Sequence, residues 1–228
     1  MCGRFTLTSD MDILMYRFAA VMMPDLTYLP RYNIAPTQPV AAVVNEQGIK
    51  IIKEFRWGLI PSWAKDEKLA VKMINARSET LAVKPAFKYL LTRRRCLIPA
   101  TGFYEWISST KPKQPVYITL KSEELFAFAG LWDEWRSPAG VVYSCTIITT
   151  DANSLIQPVH NRMPVILRPE QEQIWLDPEV SEHSLLLPML KPYPSEEMEM
   201  YRVSPLVNSP WNDSPECIKP VGGSAPCP

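Results

Sequence analysis

The chain carries no excess of charge of either sign: 24 Lys and Arg stand against 24 Asp and Glu, a formal net charge of zero. That balance excludes the whole-molecule field that draws many nucleic-acid binders, so any contact with phosphate has to be a local basic groove offset by acidic surface elsewhere. Long apolar runs are missing too, and no segment reads as a membrane span. The first twenty residues hold Arg4, Asp10 and Asp12 where a secretory leader has an unbroken apolar stretch. These absences predict a protein that stays in the cytosol. Five cysteines, Cys2, Cys96, Cys145, Cys217 and Cys227, lack the short paired spacing of zinc sites, and their odd number fits free thiols in a reducing compartment. The sequence also lacks a Gly-rich phosphate loop, a metal-ligand cluster and an internal repeat, so neither cofactor nor metal is expected.

What is present describes an ordinary globular chain. Hydrophobic residues make up 46% of the 228 positions and charged ones 21%, enough to bury a core within one domain near the upper size limit. Met11, Leu14, Met15 and Phe18 recur at helical spacing behind Thr8 and Ser9, either of which can cap, leaving residues 2–6 as an extended leader. Residues 39–44 and 49–55 read as two strands of a hairpin. Pro85 opens a helix through Lys88 and Leu91 that ends in the basic run Arg93, Arg94, Arg95. Three strands follow, PVYITL, LFAFAGLW and VVYSCTIITT, then a short helix over 153–159, a strand RMPVIL, and a helix with Pro169 in its first turn. Strands with few interposed helices predict an α+β fold with a mixed, mostly antiparallel, barrel-like sheet and flanking short helices, and argue against a doubly wound nucleotide fold. Residues 1–208 are expected to form a single domain. Residues 209–228, rich in Pro, Ser and Gly, form a tail that wraps the surface or stays disordered.

Several residues carry chemistry. Cys2 follows an initiator methionine of the kind normally removed, which would expose an α-amine (pKa ~8) beside a thiol (pKa ~8.5), two nucleophiles on adjacent carbons. An aldehyde suits that pair, the amine forming a Schiff base and the thiol closing a thiazolidine. The plainer reading is a small residue in a frayed terminus. Glu105 lies among Phe103, Tyr104 and Trp106, where desolvation would raise its pKa and make it a general acid; otherwise it is a strand residue facing water. His160 sits at a helix-to-strand junction ahead of Asn161 and Arg162, and is either catalytic or structural; His183 looks incidental. Asn75 and Arg77 orient an anionic ligand or form a turn and its surface. Trp57 reads as core, whereas Trp63 is the better candidate for an aromatic face offered to an unstacked base.

The motifs MCGRF, RYNIAP, RWGLIPSW, INARSET, GFYEW and HNRMPVIL, in that order from Met1 to about Leu167, together resemble the SRAP (SOS response-associated peptidase) family. The resemblance implies a covalent crosslink between Cys2 and an abasic site in single-stranded DNA, with Asn75, Glu105 and His160 around the aldehyde. It also implies DNA contacts from Arg4, Asn33, Trp63, Arg77, Trp106 and Arg162, with Trp63 near the junction of single strand and duplex. Self-removal of Met1 and a weak lyase side activity are further implications. So are action as a monomer, the replication machinery as a partner, and association with the nucleoid when DNA is bound. The serine after Arg77 and the Pro-rich tail are departures at the periphery. Two other readings stay open: a thiol peptidase built from Cys2, His160 and Asn75, and a non-covalent reader of modified bases.

Overall fold

A computed structural model describes residues 2–24, 26–108, 110–122 and 125–222. Fourteen strands and four α-helices follow in chain order. The strands are β1 (Phe5–Leu7), β2 (Val21–Met22), β3 (Arg31–Ile34), β4 (Pro39–Glu46), β5 (Ile49–Trp57), β6 (Asn75–Arg77), β7 (Arg95–Ala100), β8 (Gly102–Ile107), β9 (Gln114–Leu120), β10 (Phe126–Ser137), β11 (Gly140–Asp151), β12 (Arg162–Pro164), β13 (Ile166–Leu167) and β14 (Met198–Arg202). The helices are α1 (Met11–Phe18), α2 (Pro85–Arg93), α3 (Pro169–Leu176) and α4 (His183–Leu186).

The strands fall into two sheets. One runs β14-β9-β8-β1-β3 and is antiparallel throughout. In the other, β11-β10-β7-β4-β5 closes into a ring, because β5 returns to pair parallel with β11 at Ser144 with Arg56 and Cys145 with Trp57. This is the expected α+β, barrel-like core with short helices. Where β5 leaves β11, β6 takes over the same edge, pairing Asn75 with Ile147 and Arg77 with Thr149. The β4–β5 hairpin forms because Gln47 and Gly48 both take positive φ (53° and 86°), the primed turn whose twist matches the strands. Gly102 is forced by close packing: a Cβ there would lie 2.1 Å from the ring of Tyr117. Phe5, Trp57 and Phe128 stack edge to face and join the two sheets through the core.

Several local expectations need correction. Asp10, and neither Thr8 nor Ser9, is the N-cap of α1; the Thr8 hydroxyl donates to Thr101 Oγ1 instead. Part of the extended leader is a central strand, β1, held between β8 and β3. Arg95 does not extend the helix-ending basic run but opens β7, buried, donating to the carbonyls of Leu91, Trp175, Asp177 and Val180. Residues 153–159 make successive turns in place of a helix, because Pro158 has no N–H to continue the ladder. The RMPVIL strand is split at Val165, which donates to Ile148 O and accepts from Ala129 N–H where β10 and β11 part.

Residues 205–222 wrap the antiparallel sheet: Cys217 is buried and Val203 bridges to Pro220. The final residues of the expected tail, with Cys227, lie outside the described residues, as does Met1. The four described cysteines are free thiols. Among the described residues, no helix is long and apolar enough to cross a membrane, and no group of three His, Cys, Asp or Glu side chains is placed to hold a metal ion.

Candidate active site

The seam between the two sheets gathers side chains that are far apart in sequence. β1 and β8 pair with Phe5 opposite Phe103, and the Tyr104 N–H donates to Arg4 O at 2.9 Å, so the residues before β1 run alongside Glu105. From the closed ring, Asn75 at the start of β6 donates through Nδ2 to the Cys2 carbonyl oxygen at 2.8 Å, tying the leader across the seam. Asn75 Oδ1 is buried without a hydrogen-bond partner among the described residues. The Cys2 side chain is fully buried.

The electrostatics follow from that burial. Glu105 is 5% exposed, and desolvation pushes its carboxyl up to about 7, opposed by the positive charge of the amino terminus. Burial, with the Glu105 carboxylate adding to it, raises the Cys2 thiol far above the ordinary range. His160 is held below its usual value, first by burial and then by the amino terminus. Its Nδ1 accepts the Arg162 N–H at 2.9 Å, which leaves the proton of the neutral ring on Nε2. The site holds a carboxyl poised near neutral pH, a neutral imidazole donor, an amide and a thiol.

The residues expected at a DNA surface divide. Arg77 is exposed on β6 and makes no ion pair among the described residues. Trp63 is 62% exposed on a loop fastened at successive points: Gly58 N–H to Cys145 O, Ile60 N–H to Ser144 Oγ, and Ser62 N–H to Asp133 Oδ2. Beside it, Lys65, Lys68 and Lys72 line a shallow groove. Arg4 is half-buried, its Nη1 donating to Asn33 Oδ1 and Val207 O, each at 2.7 Å, with its guanidinium 5.8 Å from the Trp106 ring centre. Trp57 is buried as core.

Two of the residues expected to contact DNA are buried and held by the protein's own groups. Asn33 is fully buried, and its amide serves Arg4 and the carbonyls of Val207, Ser209 and Asn212, so it clasps the 207–212 loop. Arg162 is 8% exposed and already engaged, bidentate with Glu79 at 2.7 and 3.0 Å, with Asp151 at 2.8 Å and with Thr149 O at 2.7 Å. Its backbone N–H, not its guanidinium, is the group that meets His160. Sequence reasoning missed Glu79 and Asp151, and also Thr149, whose buried hydroxyl has no partner among the described residues and, by strand register, shares a face with Asn75 and Arg77. No sequence signal marks these residues, because strand pairing alone brings them to the seam.

A closed mixed barrel that carries a buried thiol and a desolvated carboxyl at its seam offers the groups that nucleophilic and acid-base chemistry would use. The chain belongs to the SRAP family: the family model for SOS response associated peptidase matches residues 1–210. It is 50% identical over 222 residues to the abasic site processing protein YoqW of Bacillus subtilis (strain 168), covering 96% of this chain and 99% of that protein. It is 33% identical over 227 residues to the abasic site processing protein HMCES of Gallus gallus, covering 85% and 67%. A solved protein from Bacteroides thetaiotaomicron shares the fold with a TM-score of 0.86 at 28% identity, covering 96% of this chain and all of that one.

Proposed function

We propose that this protein processes abasic sites in DNA, and that it does so by covalent capture of the ring-opened sugar on Cys2. The names of its relatives support the substrate class. What supports the chemistry is the hydrogen bond that ties Cys2 to Asn75 across the seam, beside Glu105, whose carboxyl burial pushes up to about 7.

Removal of Met1 frees the Cys2 amine, which attacks the C1′ aldehyde to give a carbinolamine. Glu105, protonated, gives a proton to the departing hydroxyl, and water leaves as the imine forms. The thiol then adds to the imine carbon and passes its proton to the Glu105 carboxylate, closing a thiazolidine. The Nε2–H of His160 donates to the sugar oxygen released on ring opening, and Asn75 holds the Cys2 carbonyl so that the amine faces the aldehyde. Elimination from the imine before ring closure would nick the strand, which accounts for a weak lyase side activity.

Arg77, Arg4, Trp106 and the Trp63 loop are the phosphate and base contacts of a single strand entering beside duplex, and contacts of this type position the strand without reading its sequence. The reading places the protein in the cytosol, acting as a monomer at sites met by the replication machinery.

The test uses protein whose amino terminus is verified as Cys2 by mass spectrometry, mixed with a single strand bearing one abasic site. A heat-stable adduct on a denaturing gel, absent with Cys2→Ala, is expected. Absence of adduct from the verified protein would overturn the covalent reading.

A further inference from the structure

The segment that follows Val207 carries a feature the reaction does not use. Trp211 is 91% exposed, more than Trp63, and sits on a turn just past the last residue matched by the family model. An aromatic ring of that size in water is ordinary on a frayed tail, but this turn is not frayed. The buried Asn33 amide donates to the carbonyls of Val207, Ser209 and Asn212 at 3.2, 3.0 and 2.7 Å. Asn212 closes the turn by donating to Leu206 O at 2.8 Å, and Asp213 accepts from Arg31 and from Tyr32 N–H. A rigid loop therefore holds the indole out into solvent.

The same loop is joined to the strand that carries Glu105. Trp106, its neighbour on β8, donates from Nε1 to Asn208 Oδ1 at 2.7 Å, and Arg4 donates to Val207 O. Trp211 stands three positions after Asn208, which bounds their Cα atoms to within about 11 Å. Arg4 Nη2 has no hydrogen-bond partner among the described residues. A cation, a half-buried indole and a fully presented indole are thus joined through one loop, the mixture of charge and aromatic faces by which unstacked single strands are held.

We propose that Trp211 is a stacking platform for one nucleobase of the strand flanking the reaction site. The proposal rests on the reading that this protein binds single-stranded DNA. It requires an aromatic ring at position 211, without preference for base identity, and it serves one side of the lesion only.

The experiment measures binding of a labelled, abasic-free single strand by anisotropy for wild type, Trp211→Ala, Trp211→Leu and Trp211→Phe. Ala and Leu are expected to weaken binding roughly tenfold, Phe to stay within about twofold, and the melting temperature to stay unchanged in all. Trimming the strand nucleotide by nucleotide from each end should erase the difference between wild type and Ala at one end only. Equal binding by Ala and wild type, Leu performing as well as Phe, or a loss independent of strand length would each overturn the proposal. A wild type that binds the strand but forms no abasic adduct would sink the covalent reading while leaving Trp211 in place.

Discussion

The seam and the rim of this site are built from the same residue types to opposite ends, as Arg162 and Arg77 make plain. By strand register both lie on one face of the corner formed by β6, β11 and β12. Arg162 is buried and matched by Glu79 and Asp151, whereas Arg77 is exposed and makes no ion pair among the described residues. A buried guanidinium must be neutralised and hydrogen-bonded where it stands, so it becomes architecture; an exposed one is free to meet a phosphate. Glu105 and Trp106 repeat the contrast one residue apart, the carboxyl turned into the seam and the indole toward the outer loop. The seam should therefore govern chemistry and stability, and the rim should govern affinity.

The hardest test of that division is Cys2→Ala. It should abolish the denaturation-resistant adduct while leaving affinity for an abasic-free strand within about twofold of wild type; a large loss of affinity would merge seam and rim. Next comes Glu105→Gln, expected to slow adduct formation by about 10²- to 10⁴-fold, the usual worth of a positioned acid-base group. In wild type the rate should fall as pH rises through about 7, where Glu105 gives up its proton, and that limb should vanish in the variant.

The same substitution has a stability signature. A carboxyl raised from 4.5 to about 7 by burial binds its proton more tightly in the folded state, so folded stability declines as pH rises between those values. Glu105→Gln should remove this decline, a gain of up to roughly 3 kcal/mol above pH 7 that disappears below pH 4.5, read from urea unfolding at several pH values.

Arg162→Ala should destabilise the fold by about 3 kcal/mol, since it removes a buried, multiply bonded cation. Unchanged unfolding with a large drop in DNA affinity would instead move Arg162 to the rim. The smallest effect belongs to Arg77→Ala. It should leave the melting temperature alone, weaken single-strand binding a few-fold, and reduce the slope of log affinity against log salt by about 0.7, the signature of one lost phosphate contact.

Much of this was legible in the sequence. The hairpin at 39–57, the strands of 114–151 and the helix at Pro169 announce themselves by alternation, turn residues and proline placement, because those signals act over a few neighbours. Glu105 was legible as a desolvated acid from its aromatic flanks, and Trp57 and Trp63 were separable as core and surface. Asn33 and Arg162 were not: their motifs mark them as polar and near the site, but whether a polar group faces water or a partner depends on what packs over it. For Asn33 that cover is the 207–212 loop, about 175 residues later in the chain.

By itself, then, the sequence determined the identity of the chemical groups, the local elements and, through six motifs in order, the family. Only the tertiary structure decided which groups meet. Closing the ring through β5 and β11 and laying β1 against β8 brings Cys2, Asn75 and Glu105 to one seam, and the burial created there raises the proton affinities of Cys2 and Glu105. Desolvation is a property of the whole packed surroundings, and no short stretch of sequence carries it.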